Sequence, residues 1–392
     1  DNVTNVTPRI LSHVGRDLHN LEREHPLGLL KSRMARYFHS TTPRKIGSPA
    51  FSVHDRLHPV VTVEQNFDSL LVPDDHVSRS PSDCYYINRG HLLRAHMTAH
   101  QADLISSGLD NFVIFGDVYR RDEIDSTHYP VFHQADAVSL SDAHQLSRLA
   151  GNEVRIFETR GEDGADKQGC HTRDATLLVE HRLKTTLVKL VQTLFGDGVR
   201  HRWVDAYFPF THPSWELEIE TEKGQWLEVL GCGVIRHQIL NRAGASDRIG
   251  WAFGAGLERL AMHLYGIPDI RLFWSTDTGF LSQFRTDDPD KPIVYKPVSV
   301  YPQCINDMSF WLAKEGHYEA NDFYELAREV GGDLVEQVKP IDEFVHPKTG
   351  RKSVCYRIVY RHLERNLTQR EVNVVHKRIG DAAVEQLGVV IR

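Results

Sequence analysis

Four residues of this chain have the types and spacing to handle a phosphorylated ligand. Arg120, His128 and Phe132 fall within VIFGDVYRRDEIDSTHYPVFHQADAV (113–138), and Arg259 lies downstream in GWAFGAGLERLAMHLYGI (250–267). A guanidinium can pair bidentately with a phosphate, and an imidazole can donate to another. A phenylalanine ring offers a flat face for stacking a base. An arginine beside a glycine-lined helix start suits an anion or a nucleotide. Each signal alone has a plainer reading. Arg120 to Asp125 packs five charges into six positions, as a solvated hairpin loop would. Gly254-Ala-Gly256 lacks the third glycine of a dinucleotide fingerprint.

The elements that must hold these residues can be read from periodicity. The apolar run Phe112 to Phe115, a break at Gly116-Asp117, a resumption at Val118-Tyr119 and the return through Val131 to Gln134 predict an antiparallel hairpin around the charged loop. Leu257, Leu260, Ala261 and Leu264 form one helical stripe, with Arg259 off it. Residues 161–169 form a polar loop. Thr172 then caps a long helix with Leu183, Leu187, Leu190, Val191 and Leu194 on one face, closed by Gly196. Val204, Ala206, Phe208 and Phe210 share a strand face, and Trp215, Leu217 and Ile219 alternate with Glu216, Glu218 and Glu220. Trp226 to Gly233 supplies a further strand. Antiparallel strands joined to a long helix, without βαβ order, predict an α+β fold.

In their wording the two stretches resemble motifs 2 and 3 of the class II aminoacyl-tRNA synthetases. With YFPFTHPS (207–214) between them, the chain is similar to the phenylalanyl-tRNA synthetases of the single-chain, mitochondrial type, from about Phe51 to the C-terminus. His58 to Val63 and Asn66 to Pro73 resemble that family's motif 1, with its proline at Pro59. The resemblance implies a class II antiparallel sheet with flanking helices and a reaction in two steps. Phenylalanine attacks the α-phosphate of ATP, and the acyl group passes from the adenylate to the 2′-hydroxyl of the terminal adenosine of tRNA(Phe).

The same resemblance implies roles. Arg120, His128 and Arg259 would be catalytic. Arg120 would clamp the α-phosphate and the carboxylate, His128 would hold the other phosphates, and Phe132 and Arg259 would sandwich the adenine. Asp122 would join the ATP contacts, standing where many class II enzymes carry glutamate. Mg²⁺ would bridge the phosphates, with Glu228 as a protein ligand. His96, Thr98, Gln134 and Asp136 would meet the polar end of phenylalanine, Phe208 and Phe210 its ring, and Ala252 and Gly254 would leave room at its far end. His96 and His100 sit four apart, but Met97 occupies the position where a zinc-protease motif needs glutamate.

The 392 residues have room for two or three domains. Residues 1–47 read as a helical extension apart from the core, with one stripe at Ile10, Val14, Leu18 and Leu21 ended by Pro26, and a second at Leu30, Met34, Tyr37 and Phe38. Residues 48–275 form the catalytic domain, opened by Ser48-Pro49, and 276–302 a linker rich in Asp, Pro and Lys with a hinge between Thr286 and Pro297. In 303–392 the order is strand (304–312), helix (321–330), strand (334–344), strand (354–360), helix (368–387), strand (389–392), a ferredoxin-like βαββαβ order similar to the family's anticodon-binding domain.

The net charge of −7 gives the whole chain no pull on nucleic acid, yet His346 to Arg378 carries nine Lys/Arg against two acids. Arg351, Lys352, Arg357, Arg361 and Arg365 are therefore the expected tRNA contacts, a solvated charged surface being the alternative. Apolar residues make up 41% and charged residues 25%, and no apolar run has the length of a membrane span. Five scattered cysteines without a C-x-x-C pair point away from zinc and disulfides and toward a reducing compartment. The resemblance implies the mitochondrial matrix, with any targeting peptide removed before Asp1. One chain carrying both the catalytic motifs and a tRNA-binding tail predicts a monomer. Two rivals are weighed: a paralogue that makes an adenylate for another acceptor, against which the basic tail argues, and an RNA-binding protein with a dead catalytic domain, against which Arg120, His128, Phe132 and Arg259 together argue.

Overall fold

The computed structural model describes residues 4–40, 50–297, 301–313 and 318–392, so the expected boundary at Ser48-Pro49 lies outside the described residues. The chain forms α1 (Pro8–Leu11), α2 (Pro26–Ser40), β1 (Ser52–His54), β2 (Val60–Thr62), α3 (Val63–Asn66), β3 (Tyr86–Asn88), β4 (His91–Leu93) and α4 (Gln101–Ser106). The hairpin follows as β5 (Asn111–Tyr119) and β6 (Val131–Ser141). Next come α5 (Ala143–Ala150), α6 (Arg173–Phe195), β7 (His201–Phe208), β8 (Thr211–Glu220), β9 (Trp226–Ile235), α7 (His237–Arg242), β10 (Ile249–Gly256) and α8 (Leu257–Tyr265). The last part holds α9 (Thr278–Leu281), β11 (Cys304–Trp311), α10 (Ala320–Gly331), β12 (Val335–Val345), β13 (Lys352–Tyr360), α11 (Gln369–Leu387) and β14 (Val390–Ile391).

The site is built on a seven-stranded sheet of order β1-β5-β6-β10-β9-β8-β7, antiparallel except where β1 runs parallel to β5. Alternation in β8 works as expected: Trp215, Leu217 and Ile219 are buried and the three glutamates between and after them are not. Helix α6 lays its Leu183, Leu187, Leu190 and Val191 into the core that holds Trp251 and Phe253 of β10. Thr172 caps it, accepting from Ala175 N.

Gly116-Asp117 does not interrupt the hairpin; both lie inside β5. A Cβ on Gly116 would stand 2.5 Å from Arg94 Nη2, so the glycine permits a close approach rather than a bend. Asp117, also buried, is held by Arg94 and by the Tyr119 hydroxyl, which makes a charged residue tolerable inside a strand.

The N-terminal extension also departs from expectation. Its first stripe yields only the single turn α1 and a 3₁₀ turn at Leu18–Asn20, since Gly15 and Asp17 take positive φ between them. Pro26 opens α2 instead of ending a helix, as its fixed φ suits a first helical position. Nor does the extension stand apart: Ile10, Leu18, Leu27 and Phe38 are buried in the same core as Phe253 and Leu260.

The described part of the expected linker is tied to that core as well. Phe280 and Phe284 are buried in it, two large apolar side chains in a stretch whose composition reads as polar. Thr286 N donates to Arg23 O at 3.1 Å and Tyr295 N to Tyr265 O at 2.7 Å. Beyond it the C-terminal sheet has the order β12-β13-β11-β14, antiparallel throughout, with α10 and α11 packed together against it.

This last unit grips the loop between β5 and β6. Arg328 Nη2 donates to the carbonyls of Asp122 at 2.7 Å and Glu123 at 3.1 Å. Ile124 bridges Val338, Arg121 pairs with Asp322 at 3.0 Å, and Tyr85 donates to Glu325 at 2.7 Å. Tyr129 and Arg9 both reach Asp333.

Candidate active site

Strand β6 sends alternate side chains to opposite faces. Gln134 and Asp136 point into a cavity of about 300 Å³, at the small end of the roughly 300–1,000 Å³ typical of small-molecule sites. All eight residues expected to meet an amino acid line it: His96, Thr98, Gln134, Asp136, Phe208, Phe210, Ala252 and Gly254. Phe208 and Phe210 stand at the end of β7 and in the turn after it, stacked with ring centroids 5.8 Å apart. His96 stacks on Phe210 at 6.5 Å. His96 is extended just before a 3₁₀ turn, Met97–His100, so the helix face it would have shared with His100 does not form, and His100 turns to Arg94 Nη1 at 3.0 Å. Burial lowers the His96 imidazole to about 3, so it is neutral.

The polar end of the cavity is formed by Asp136, Gln134 and Arg120. Asp136 is 6% exposed; Oδ2 accepts from the Thr98 hydroxyl at 2.6 Å, while Oδ1 has no partner among the described residues. Burial pushes its carboxyl up to about 7, against which Thr98 and Arg120 pull weakly. Gln134 Oε1 accepts from Met97 N at 3.2 Å. Arg120, also lining the cavity, donates from Nε to Ala95 O at 2.7 Å, and its guanidinium lies 5.3 Å from the Phe132 ring centre.

Phe132, Asp122, His128 and Arg259 do not line the cavity. His128 Nδ1 bonds Asp125 Oδ2 at 2.8 Å, and that carboxylate raises the imidazole above its ordinary value, favouring the cation. Asp122 Oδ1 accepts from Glu123 N at 2.8 Å. Among the described residues the only group of three clustered metal-type ligands is Glu123, Asp125 and His128, in this loop. Arg259, half exposed in the first turn of α8, reaches Glu228 Oε2 at 3.3 Å. Glu228 lies opposite Glu218 across β8–β9, and with it raises the Glu216 carboxyl already lifted by burial. On that face Glu218 pairs with Arg202 and Glu228 with Arg259, and Glu228 also lines the cavity, a hard oxygen donor of the kind Mg²⁺ takes, so Glu228 fits a Mg²⁺ ligand.

Sequence reasoning passed over Thr211, Gly231, Cys232 and Phe253, which also line the cavity. Gly231 had a signal, a glycine inside a strand: a Cβ there would come within 2.7 Å of Phe208 Cζ. Glu258 was also missed; both its oxygens accept from His133, Oε2 from the backbone N at 2.8 Å and Oε1 from Nδ1 at 2.7 Å.

On the C-terminal unit the five expected RNA contacts are not free cations. Arg357 pairs with Asp307 through two bonds of 2.9 Å, Arg361 with Glu336 at 2.9 Å, Arg365 with Glu371 at 2.9 Å, and Lys352 with Glu343 at 2.8 Å. Arg351 lies over Trp311. Lys348, Arg370, Lys377 and Arg378, from the same basic run, are exposed and make no ion pair among the described residues.

Comparison with known proteins agrees with this geometry. Residues 21–163 and 171–284 match the tRNA synthetases class II core domain (F), and residues 299–392 the ferredoxin-fold anticodon binding domain. The chain is 57% identical over 411 residues to the probable phenylalanine–tRNA ligase, mitochondrial, of Drosophila melanogaster, covering 100% of this chain and 90% of that one. It is 56% identical to the phenylalanine–tRNA ligase, mitochondrial, of Mus musculus, covering 99% of this chain and 86% of that one. To the Saccharomyces cerevisiae protein of that name it is 39% identical, covering 99% of this chain and 92% of that one.

Proposed function

The chain belongs to the class II tRNA synthetase family, and from that membership we propose that it is a mitochondrial phenylalanine–tRNA ligase. It activates L-phenylalanine with ATP and transfers the product to tRNA(Phe), acting in the matrix as a monomer. The observation that carries the reading is one cavity with an unpaired, buried Asp136 oxygen at one end and the stacked Phe208 and Phe210 at the other. That is the complement of a molecule with an ammonium group and an aromatic ring.

Activation asks for little covalent work from the protein; it must align carboxylate and α-phosphate and offset the charge that builds between them. Arg120 clamps both groups, its Nε already anchored to Ala95. His128, whose cationic form Asp125 favours, holds the outer phosphates beside Asp122. Adenine lies between Phe132 and Arg259. Glu228 would hold Mg²⁺, which would supply charge neutralisation on the phosphates. Asp136, Gln134, Thr98 and His96 receive the amino acid's polar end, and Ala252 and Gly254 leave room beyond its ring.

The division into extension (1–47), catalytic domain (48–275), linker (276–302) and anticodon-binding domain (303–392) is part of the same proposal, with the hinge within 286–297. Lys352, Arg357, Arg361 and Arg365 exchange their carboxylate partners for tRNA phosphates, and Arg351 leaves its seat over Trp311 for another. For the exposed pairs of Lys352, Arg357 and Arg365 such an exchange is inexpensive, since exposed ion pairs contribute only about 0–1 kcal/mol.

The test is amino-acid-dependent ATP–pyrophosphate exchange over the twenty amino acids, followed by charging of total tRNA. Exchange with phenylalanine, weaker exchange with tyrosine, and charging are expected. Exchange without charging would favour the adenylate-forming paralogue, and no exchange would overturn the reading.

A further inference from the structure

We propose that Glu258 is a positioning residue for the nucleotide, acting through His133 to set the spacing between Phe132 and Arg259; this rests on adenine occupying that gap. Strand β10 pairs with β6 only as far as Gly256 opposite Gln134, then turns into α8. His133 is one residue past that last pair. Its backbone N–H would be left without a strand acceptor where β10 departs, a costly outcome for a group that is fully buried. Glu258, in the first turn of α8, supplies the acceptor with one oxygen and takes the imidazole Nδ1 proton with the other.

The carboxylate therefore serves as one more rung of the β6–β10 ladder, carried by a side chain. It is 2% exposed and His133 is 0% exposed, so neither partner can turn to water for a substitute. A buried carboxylate with both oxygens used this way is fixed in geometry. What it fixes is specific: Phe132 precedes His133 on the strand, and Arg259 follows Glu258 on the helix. The two proposed walls of the base site are each one residue from this clamp. Glutamine at 258 would aim an amide N–H₂ at one of two donors, and aspartate would be a methylene short.

The test is ATP–pyrophosphate exchange by the full chain, varying ATP at saturating phenylalanine and then the reverse. Glu258→Gln and His133→Ala should each raise KM for ATP roughly tenfold, well within what a small misplacement of a binding group can cost. KM for phenylalanine should stay unchanged. The double variant should be no worse than either single one, because the pair acts as a unit. His133→Asn, which keeps a side-chain N–H near the Nδ1 position, should recover most of the loss. Phe132→Ala and Arg259→Ala are the references. If neither raises KM for ATP, the adenine assignment fails and the proposal with it. If both do and Glu258→Gln does not, the positioning role alone is overturned. A parallel rise in both KM values would reduce the clamp to a general structural contact and overturn it too. Should Glu258→Gln not fold, His133→Asn against His133→Ala decides by the same criteria.

Discussion

Asp136 and Arg357 are both ionisable residues on antiparallel strands, and they use charge in opposite ways. Asp136 is 6% exposed with one oxygen unpartnered. Arg357 lies open to solvent with two bonds to Asp307. Water is excluded from the first site, so each group there counts heavily and has no understudy. At the second, water screens every pair, and neighbours such as Arg370, Lys377 and Arg378 can compensate for one another. On the proposed reading, recognition in the cavity is therefore concentrated in single atoms, and recognition on the tail is spread over a surface.

The largest expected effect tests that concentration. Asp136→Asn should lower kcat/KM for phenylalanine on the order of a hundredfold, since truncating one side of a buried charge pair costs roughly 2–5 kcal/mol. The same residue sets a pH dependence. Burial raises its carboxyl to about 7 in the fold, from the ordinary aspartate value near 3.8. The folded protein therefore keeps a proton that the unfolded chain has lost, and stability falls as pH rises across that window. Ligand-free Asp136→Asn should melt higher than the parent at pH 8, the gap closing as pH falls toward the lower value. Phenylalanine activation should decline below about pH 7. A flat pH profile for activation would break the comparison at its buried end.

Gly231→Ala comes next. Its Cβ would press within 2.7 Å of Phe208 Cζ, and overpacking of this kind costs about 1–3 kcal/mol. KM for phenylalanine should rise roughly tenfold with KM for ATP unchanged; equal rises would mean that the strand, not the ring wall, has moved. Ala252→Gly works in the other direction. It should raise activation of tyrosine and of para-substituted phenylalanines several-fold, up to about tenfold, as one methyl group allows. No gain would remove Ala252 from the selecting wall.

The smallest effect sharpens the other end. Arg357→Ala should weaken tRNA binding only about two- to threefold, but lower the slope of log affinity against log salt by roughly one phosphate contact. A loss comparable to that of Asp136→Asn would mean that the tail, too, recognises through single residues.

Legibility followed the same divide between local and distant causes. In the C-terminal unit the helices and strands were readable within about two residues; Thr368 caps α11 and Gly388 stops it. The eight cavity residues were nameable from motif wording. What escaped depended on partners remote in the chain. Nothing near Gly116 announces that Arg94 will pass over it, and nothing near Glu258 names His133. Phe280 and Phe284 were hidden by their polar neighbours. Pro26 read as a stop because a proline looks the same at either end of a helix until the flanking backbone is known.

The grip of Arg328 on the carbonyls of Asp122 and Glu123 has a thermodynamic consequence. With the proposed nucleotide contacts in this loop, one short run of main chain answers to two masters, the nucleotide on one side and the tail on the other. Linkage between such sites is reciprocal. If ATP steadies the loop, ATP must also hold the tail down by the same factor, and a tRNA that draws the tail away must loosen ATP equally. The molecule would then keep its own order of events, finishing the adenylate before the acceptor arrives, with no separate timer. Proteolysis of the 286–297 stretch, slowed by ATP and hastened by tRNA, would reveal that bookkeeping.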